Sequence, residues 1–411
     1  MAKISELLKT DGNLNYIKTN KYKDITISIK CAYKYNRKLK ASLVMLSNLM
    51  QDTSEKYPTK ESMAKVKDML YGLSYDCITS NVANLLTYTI NYNFTNPRFF
   101  NDVSEKDYID FIEETINHPY FNEKEFLECK RNIIDGLNRK LDKPSAYATS
   151  AFYKEVAKED KDFDIYTDLT KEDIEILTLK DIKETFKELL NSRVDVYLVG
   201  DYTDELFNYL KKYKSKKELY GDVAPLKLSS NKEIDEPKEV GQSALIVSYS
   251  TPYTRKSNDY YAFNLGNILF GGIPSSLLFS EVREKDNLCY LIYSRAFRYD
   301  GLVYVSTLID SKNKDKALED IRKQFKRIVD KDYDCSLLDT AKKMLISNSL
   351  TIDDDLDYLI TYHYDGHLCN TYITIDDYSK EIEKVTVEDV SRVFADYREY
   401  LTYFLEGIRH A

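Results

Sequence analysis

Residues 382–394, IEKVTVEDVSRVF, restate residues 174–186, IEILTLKDIKETF, and this echo decides the fold. Thr386 stands where Thr178 stands, in the N-cap position ahead of a helical apolar period. Outward from the pair, the order of elements repeats as well. An alternating, β-branched strand over 25–33 (ITISIKCAY) leads through Tyr35-Asn36-Arg37-Lys38 into a helix over 39–50. A strand over 244–250 leads through Tyr253-Thr254-Arg255-Lys256 into a helix over 258–270. GLSY at 72–75 answers NLCY at 287–290, and the strand at 400–405 answers that at 194–199. Two copies of a unit of about 200 residues follow, in line with the size at which one core stops growing. Hairpin strands segregated from runs of helices give an α+β class: two homologous domains, each an antiparallel sheet covered by helices on one face. The expected domains are 1–213 and 243–411, with the polar, unperiodic stretch 214–242 as linker, the halves facing each other as a clam-like pair.

Charge excludes one broad class. The net charge is −9, with 59 basic and 68 acidic residues spread along the chain, which leaves no basic footprint for nucleic acid. Lys211, Lys212, Lys214, Lys216 and Lys217 read as a solvated helix end. The six cysteines have no close pairing, as in a reduced protein. The opening MAKISELLKTDG is too polar for a signal peptide, and no apolar run approaches the ~20 residues of a membrane span. A cytoplasmic protein without membrane partners is expected.

The chemistry concentrates in 271–290, GGIPSSLLFSEVREKDNLCY. Gly271 and Gly272 permit backbone geometries closed to other residues, and Ser275 or Ser276 caps a helix running to about residue 285. Asp286-Asn287 end it, and a strand begins at Leu288. The reversal aims Arg283 and Tyr290 at one point, where a guanidinium and a phenol can donate hydrogen bonds to a peptide carbonyl or its oxyanion. The plainer alternative has Arg283 offsetting the helix dipole and pairing with Glu281 or Glu284, and Tyr290 as one of 36 tyrosines.

A duplicated unit of this size, with FGG-x-x-SS-x-LFSEVREK-x-x-L-x-Y in its second copy, resembles the insulinase/pitrilysin superfamily of zinc peptidases, which includes mitochondrial processing peptidase. The resemblance spans nearly the whole chain. It implies that Arg283 and Tyr290 bind substrate and stabilise the tetrahedral intermediate, with Gly271, Gly272, Ser275 and Ser276 lining the substrate. Leu277 departs from the family's Arg after the paired serines. The family's metal site, an inverted H-x-x-E-H on the first long helix, falls on Val44, Ser47 and Asn48. The third ligand falls near Gly136, and the acidic residue seven before it near Cys129. No HxxEH occurs in the sequence. Zinc needs about three protein ligands and a hydrolytic site needs a base, and these residues supply neither. No metal is expected in this chain.

Other candidates are weaker. His363 and His367 share a helix face with Asp365 between them, but no third zinc ligand stands out, and a surface or interface role fits better. Asp353-Asp354-Asp355 reads as a helix start rather than a calcium loop. His118 marks a helix end, His410 lies in the tail, and no Walker, GxGxxG or GxSxG motif is present.

A lost metal site beside a kept Arg/Tyr pair is what the resemblance implies for a zinc-free subunit of a two-chain metallopeptidase, inactive alone. An HxxEH-bearing partner would hold the zinc, and the substrate would be an unfolded peptide meeting a strand edge near residues 75–80. The alternatives are a catalytically inert structural subunit and a peptide-binding module. A homodimer also fits a self-complementary pair of halves.

Overall fold

The computed structural model describes residues 4–229 and 231–408, apart from the side chain of Asp353; His410 and the first three residues lie outside this set. Among the described residues eleven strands form two sheets: β1 (Lys9–Asp11), β2 (Leu14–Lys18), β3 (Asp24–Lys34), β4 (Ser74–Val82), β5 (Leu85–Thr95), β6 (Arg193–Gly200), β7 (Lys232–Lys238), β8 (Ser243–Ser250), β9 (Cys289–Phe297), β10 (Leu302–Ile309) and β11 (Arg398–Gly407). The first sheet runs β1-β2-β6-β3-β5-β4 and the second β7-β11-β8-β10-β9. The class is α+β, with helices covering both sheets.

The duplication shows in the pairing. Neighbours are antiparallel, except that β2 lies parallel to β6 and β7 parallel to β11. β7 thus occupies in the second sheet the place β2 holds in the first, although its sequence, KEIDEPK, lies within the stretch read as a linker. Thr178 and Thr386 also do the same work. The Thr178 hydroxyl accepts from the Asp181 N–H at 3.2 Å while the Asp181 carboxylate accepts from the Thr178 N–H at 2.8 Å. The corresponding distances for Thr386 and Asp389 are 3.1 and 3.0 Å. Each capping box satisfies amides that have no carbonyl inside the helix.

The chain divides into two compact units that are not consecutive in sequence. One gathers the chain up to Leu137, Leu169–Gly221 and Ile352–Tyr372; the other gathers Asn138–Asp168, Asp222–Thr351 and the chain from Ile373. Each unit therefore borrows a helix from the other half of the repeat. In the second unit, Phe152 and Val156 of the Pro144–Glu159 helix pack with Ala244, Ile246, Leu302, Tyr304, Leu401 and Tyr403 of the sheet. The opposite face, with Leu245, Val247 and Val303, joins the core formed with Phe263, Leu265, Ile321 and Phe394. Full burial of a side chain such as Phe152 contributes about 1.5–3 kcal/mol.

In the first unit, the borrowed Leu356–Leu368 helix meets a different kind of face. β3 alternates Ile25, Ile27, Ile29 and Cys31 with Thr26, Ser28 and Lys30, and all seven are buried. The polar series is in register with Asn93, Asn91 and Thr89 of β5 and with Val199, Tyr197 and Asp195 of β6. Tyr197 hydrogen-bonds Nδ1 of His363 at 2.9 Å on the borrowed helix, and Lys30 lies 5.2 Å from the Tyr364 ring centroid. One sheet thus has an apolar second face and the other a hydroxyl- and amide-rich one.

Candidate functional site

Arg283 and Tyr290 belong to the second unit and come together through an unusual turn. Residues Phe279–Lys285 form a π-helix, in which the Asp286 N–H reaches back five residues to the Glu281 carbonyl at 3.0 Å. A second π-helical segment, Ile268–Gly272, lies just upstream. Such wide turns recur at functional positions because they stay only where the surroundings hold them. Asn287 takes a left-handed φ of 49°, a conformation Asn tolerates better than most residues, and the chain reverses into β9.

The reversal sets the Arg283 guanidinium 4.2 Å from the Phe279 ring centroid and 5.7 Å from that of Tyr290. Tyr290 is 84% exposed, on the edge strand of its sheet. Among the described residues no carboxylate pairs with Arg283. Glu281, one of the two acceptors in the plainer reading, is held by Lys285 at 3.0 Å and Arg327 at 3.4 Å, and Lys285 above all draws its carboxyl below the ordinary range. The two rings fix the guanidinium while its N–H donors stay open to a ligand.

The flanking residues differ in their surroundings. Gly271 has no left-handed φ; it is needed because a Cβ there would lie 2.7 Å from the Ser294 nitrogen and 2.8 Å from Leu278 Cδ1. Gly272 is exposed, and its Cβ would meet the end of Ile268 at 2.9 Å. Ser275 is exposed. Ser276 is buried at the head of the helical turn, its carbonyl accepting from the Ser280 N–H at 3.0 Å, but its hydroxyl has no hydrogen-bond partner and so gives no side-chain cap. Leu277, where the resemblance would place an Arg, is buried in the core.

The positions aligned with the metal site lie in the first unit, on the Arg37–Asp52 helix, which starts with the Asn36 side chain accepting from the Leu39 N–H at 3.0 Å. Their donors are engaged. The Ser47 hydroxyl donates to the Leu43 carbonyl at 2.9 Å and meets the Thr79 hydroxyl of β4 at 2.8 Å, while the Asn48 amide donates to the Val44 carbonyl at 2.8 Å. Val44 has no donor atom at all. Gly136, on the Glu123–Leu141 helix, faces open space, and burial pushes the Cys129 thiol up to about 12. Among the described residues no group of three His, Cys, Asp or Glu side chains is placed to hold a metal ion, and this set does not fit zinc.

His363 is buried rather than superficial. Desolvation and the nearby His367 push it down to about 3, so it stays neutral beside Tyr197. Asp355 caps its helix, accepting from the Tyr358 N–H at 3.0 Å. Sequence reading passed over Lys30 and Asp300, two buried charged-type side chains; a lysine inside an alternating strand was the available signal for the first.

Comparison with known proteins agrees with this geometry. The family model described as the peptidase M16 inactive domain matches residues 176–345. A probable inactive metalloprotease of Bacillus subtilis, YmfF, is 26% identical over 430 residues, covering 100% of both chains. The fold matches a conserved protein of Enterococcus faecalis at a TM-score of 0.87, with 24% identity and 97% of each chain covered. It also matches a peptidase M16 inactive domain of Pseudomonas fluorescens at a TM-score of 0.78, with 15% identity over 98% of this chain and 99% of that one. Among the described residues no helix is long and apolar enough to cross a membrane. Residues 176–345 thus match the inactive domain of the insulinase-like M16 peptidases, and the chain is similar over its whole length to a probable inactive metalloprotease.

Proposed function

We propose that this chain is the zinc-free subunit of a two-chain peptidase, supplying Arg283 and Tyr290 to an HxxEH-bearing partner. The observation that carries the reading is the Arg283 guanidinium held between Phe279 and Tyr290 with no carboxylate partner among the described residues. In this role Arg283 and the Tyr290 hydroxyl donate to the scissile carbonyl oxygen and bear part of the charge that develops on it. The metal and the base belong to the partner, so this chain alone does not hydrolyse peptides. Preorganised donors of this kind act on the transition state more than on the bound substrate. The substrate is an unfolded peptide, and the assembly works in the cytoplasm; association of the chain with itself uses the same self-complementary halves.

The test mixes the chain with an HxxEH homologue and follows peptide cleavage with and without chelator. Arg283→Ala and Tyr290→Phe should each lower the rate of the mixture by about 10²–10³ without weakening association. Full activity of the partner alone, unmoved by either substitution, would establish the inert structural reading instead.

A further inference from the structure

Lys30 poses a question that the Arg/Tyr site does not answer. Its side chain is 8% exposed, on the polar face of β3. An ammonium carries three donors. Here one of them reaches Thr89 Oγ1 at 3.5 Å, the limit of a hydrogen bond, and no carboxylate among the described residues lies within ion-pair distance. The Tyr364 ring at 5.2 Å offers a weak attraction. Leaving the remaining donors of a buried cation unsatisfied is strongly unfavourable. Burial pushes the Lys30 ammonium down, while the charges of Asp365 and Asp357 pull the other way.

The ammonium faces a cavity of about 220 Å³ bounded by β3, β4, β5 and the Leu356–Leu368 helix. One water needs only roughly 10–15 Å³ of such space, so the room far exceeds what hydrating one ammonium requires. Part of the lining is already engaged, whereas the Tyr364 hydroxyl has no hydrogen-bond partner among the described residues and the Asp365 carboxylate also borders the cavity. The Ser28 hydroxyl donates to Asn91 at 2.7 Å, the Asn91 amide donates to Asp76 at 3.1 Å, and the Ser80 and Thr87 hydroxyls bond each other at 2.7 Å. At the mouth lies Asp357, exposed and without an ion-pair partner among the described residues, with Thr361 one turn further along the helix. A cationic floor and an anionic rim thus face one small polar chamber.

The geometry points to a binding site for a small zwitterion, an amino acid or a dipeptide, with its carboxylate on the Lys30 ammonium and its own ammonium at Asp357. Oxygen acceptors on the floor complete the donors of Lys30, and the rim rejects plain anions by repulsion. Neither Arg283 nor Tyr290 lines the chamber, so the site stands or falls apart from the peptidase reading.

Calorimetric titration of the full chain with glycine, glycylglycine, acetate and ethylammonium tests it. Glycine or glycylglycine should bind, and acetate and ethylammonium more weakly. Lys30→Met, which replaces a buried charge with an apolar chain of similar reach, should lower the affinity by about tenfold or more. Asp357→Asn should weaken zwitterion binding and, with the repulsion at the rim removed, strengthen that of acetate. If Lys30→Met does not fold, the exposed Asp357→Asn variant decides, together with the Lys30 ammonium resonance in lysine-labelled protein, which must shift on titration. Absence of binding by both zwitterions, or binding that neither Asp357→Asn nor Lys30→Met weakens, would overturn the site and leave water as its occupant.

Discussion

The Tyr166 hydroxyl donates to Oδ2 of Asp300 at 2.6 Å, inside the second unit. Burial pushes this carboxyl up to about 7; the Tyr166 bond opposes the rise, and Asp160 and Asp162 add to it. The folded protein therefore holds the Asp300 proton up to about pH 7, whereas the unfolded chain releases it near pH 4. Between those values the folded state binds more protons, so stability falls as pH rises from about 4 to about 7 and levels off above. The difference should be roughly 3–4 kcal/mol. Urea midpoints at pH 5 and pH 8 for wild type and Asp300→Asn check this: the variant should lose this part of the pH slope, and an unchanged slope would refute the assignment.

Gly271→Ala should destabilise by about 1–3 kcal/mol, because the added Cβ overlaps backbone in β9 as well as Leu278. Gly136→Ala, facing open space, should not destabilise. Thermal unfolding of the two variants side by side gives the comparison. Equal midpoints would mean that Gly271 is not a packing requirement.

Phe152→Ala should cost about 3–5 kcal/mol, since the ring is fully buried, with its centroid 5.4 Å from that of Tyr304. Hydrogen exchange should then rise along β8, β10 and β11, the strands this helix covers. Protection that stays as in wild type would argue against the borrowed helix as a core element.

Thr178→Ala and Thr386→Ala should each cost about 1 kcal/mol, because each removes the hydroxyl half of a capping box with nearly the same distances. Denaturant midpoints of the single and double variants measure this. The caps lie in different compact units, so the two costs should add.

The α+β class and the repeat were legible because they rest on local signals. ITISIKCAY alternates, Thr178 and Thr386 precede Asp by three, and the turn at Asp286-Asn287 breaks its helix, as the structure shows. The Arg283 and Tyr290 placement was legible in outline, but the π-helical winding was not, since i→i+5 bonding leaves no periodic mark in seven residues. β7 was missed because KEIDEPK is polar and contains Pro237. It gains its place through parallel pairing with β11, far along the chain, which no local window reports. The partners of Lys30 and Asp300 are likewise remote, so burial of these charges could not be read from their neighbours in sequence.

The two borrowed helices reach the growing chain at opposite times. Pro144–Glu159 is synthesised before the sheet it covers, so the apolar face bearing Ile246, Tyr304 and Tyr403 emerges with its cover already made. Leu356–Leu368 comes long after β3 to β6, so the first sheet must wait with one face bare while most of the second repeat is still being made. That face is the one built from Thr26, Ser28, Lys30, Thr89 and Asn91, which water can solvate and which offers little to stray hydrophobic surfaces. Ribosomal order and side-chain polarity thus match, and a polypeptide cut between the repeats would leave both fragments lacking a layer.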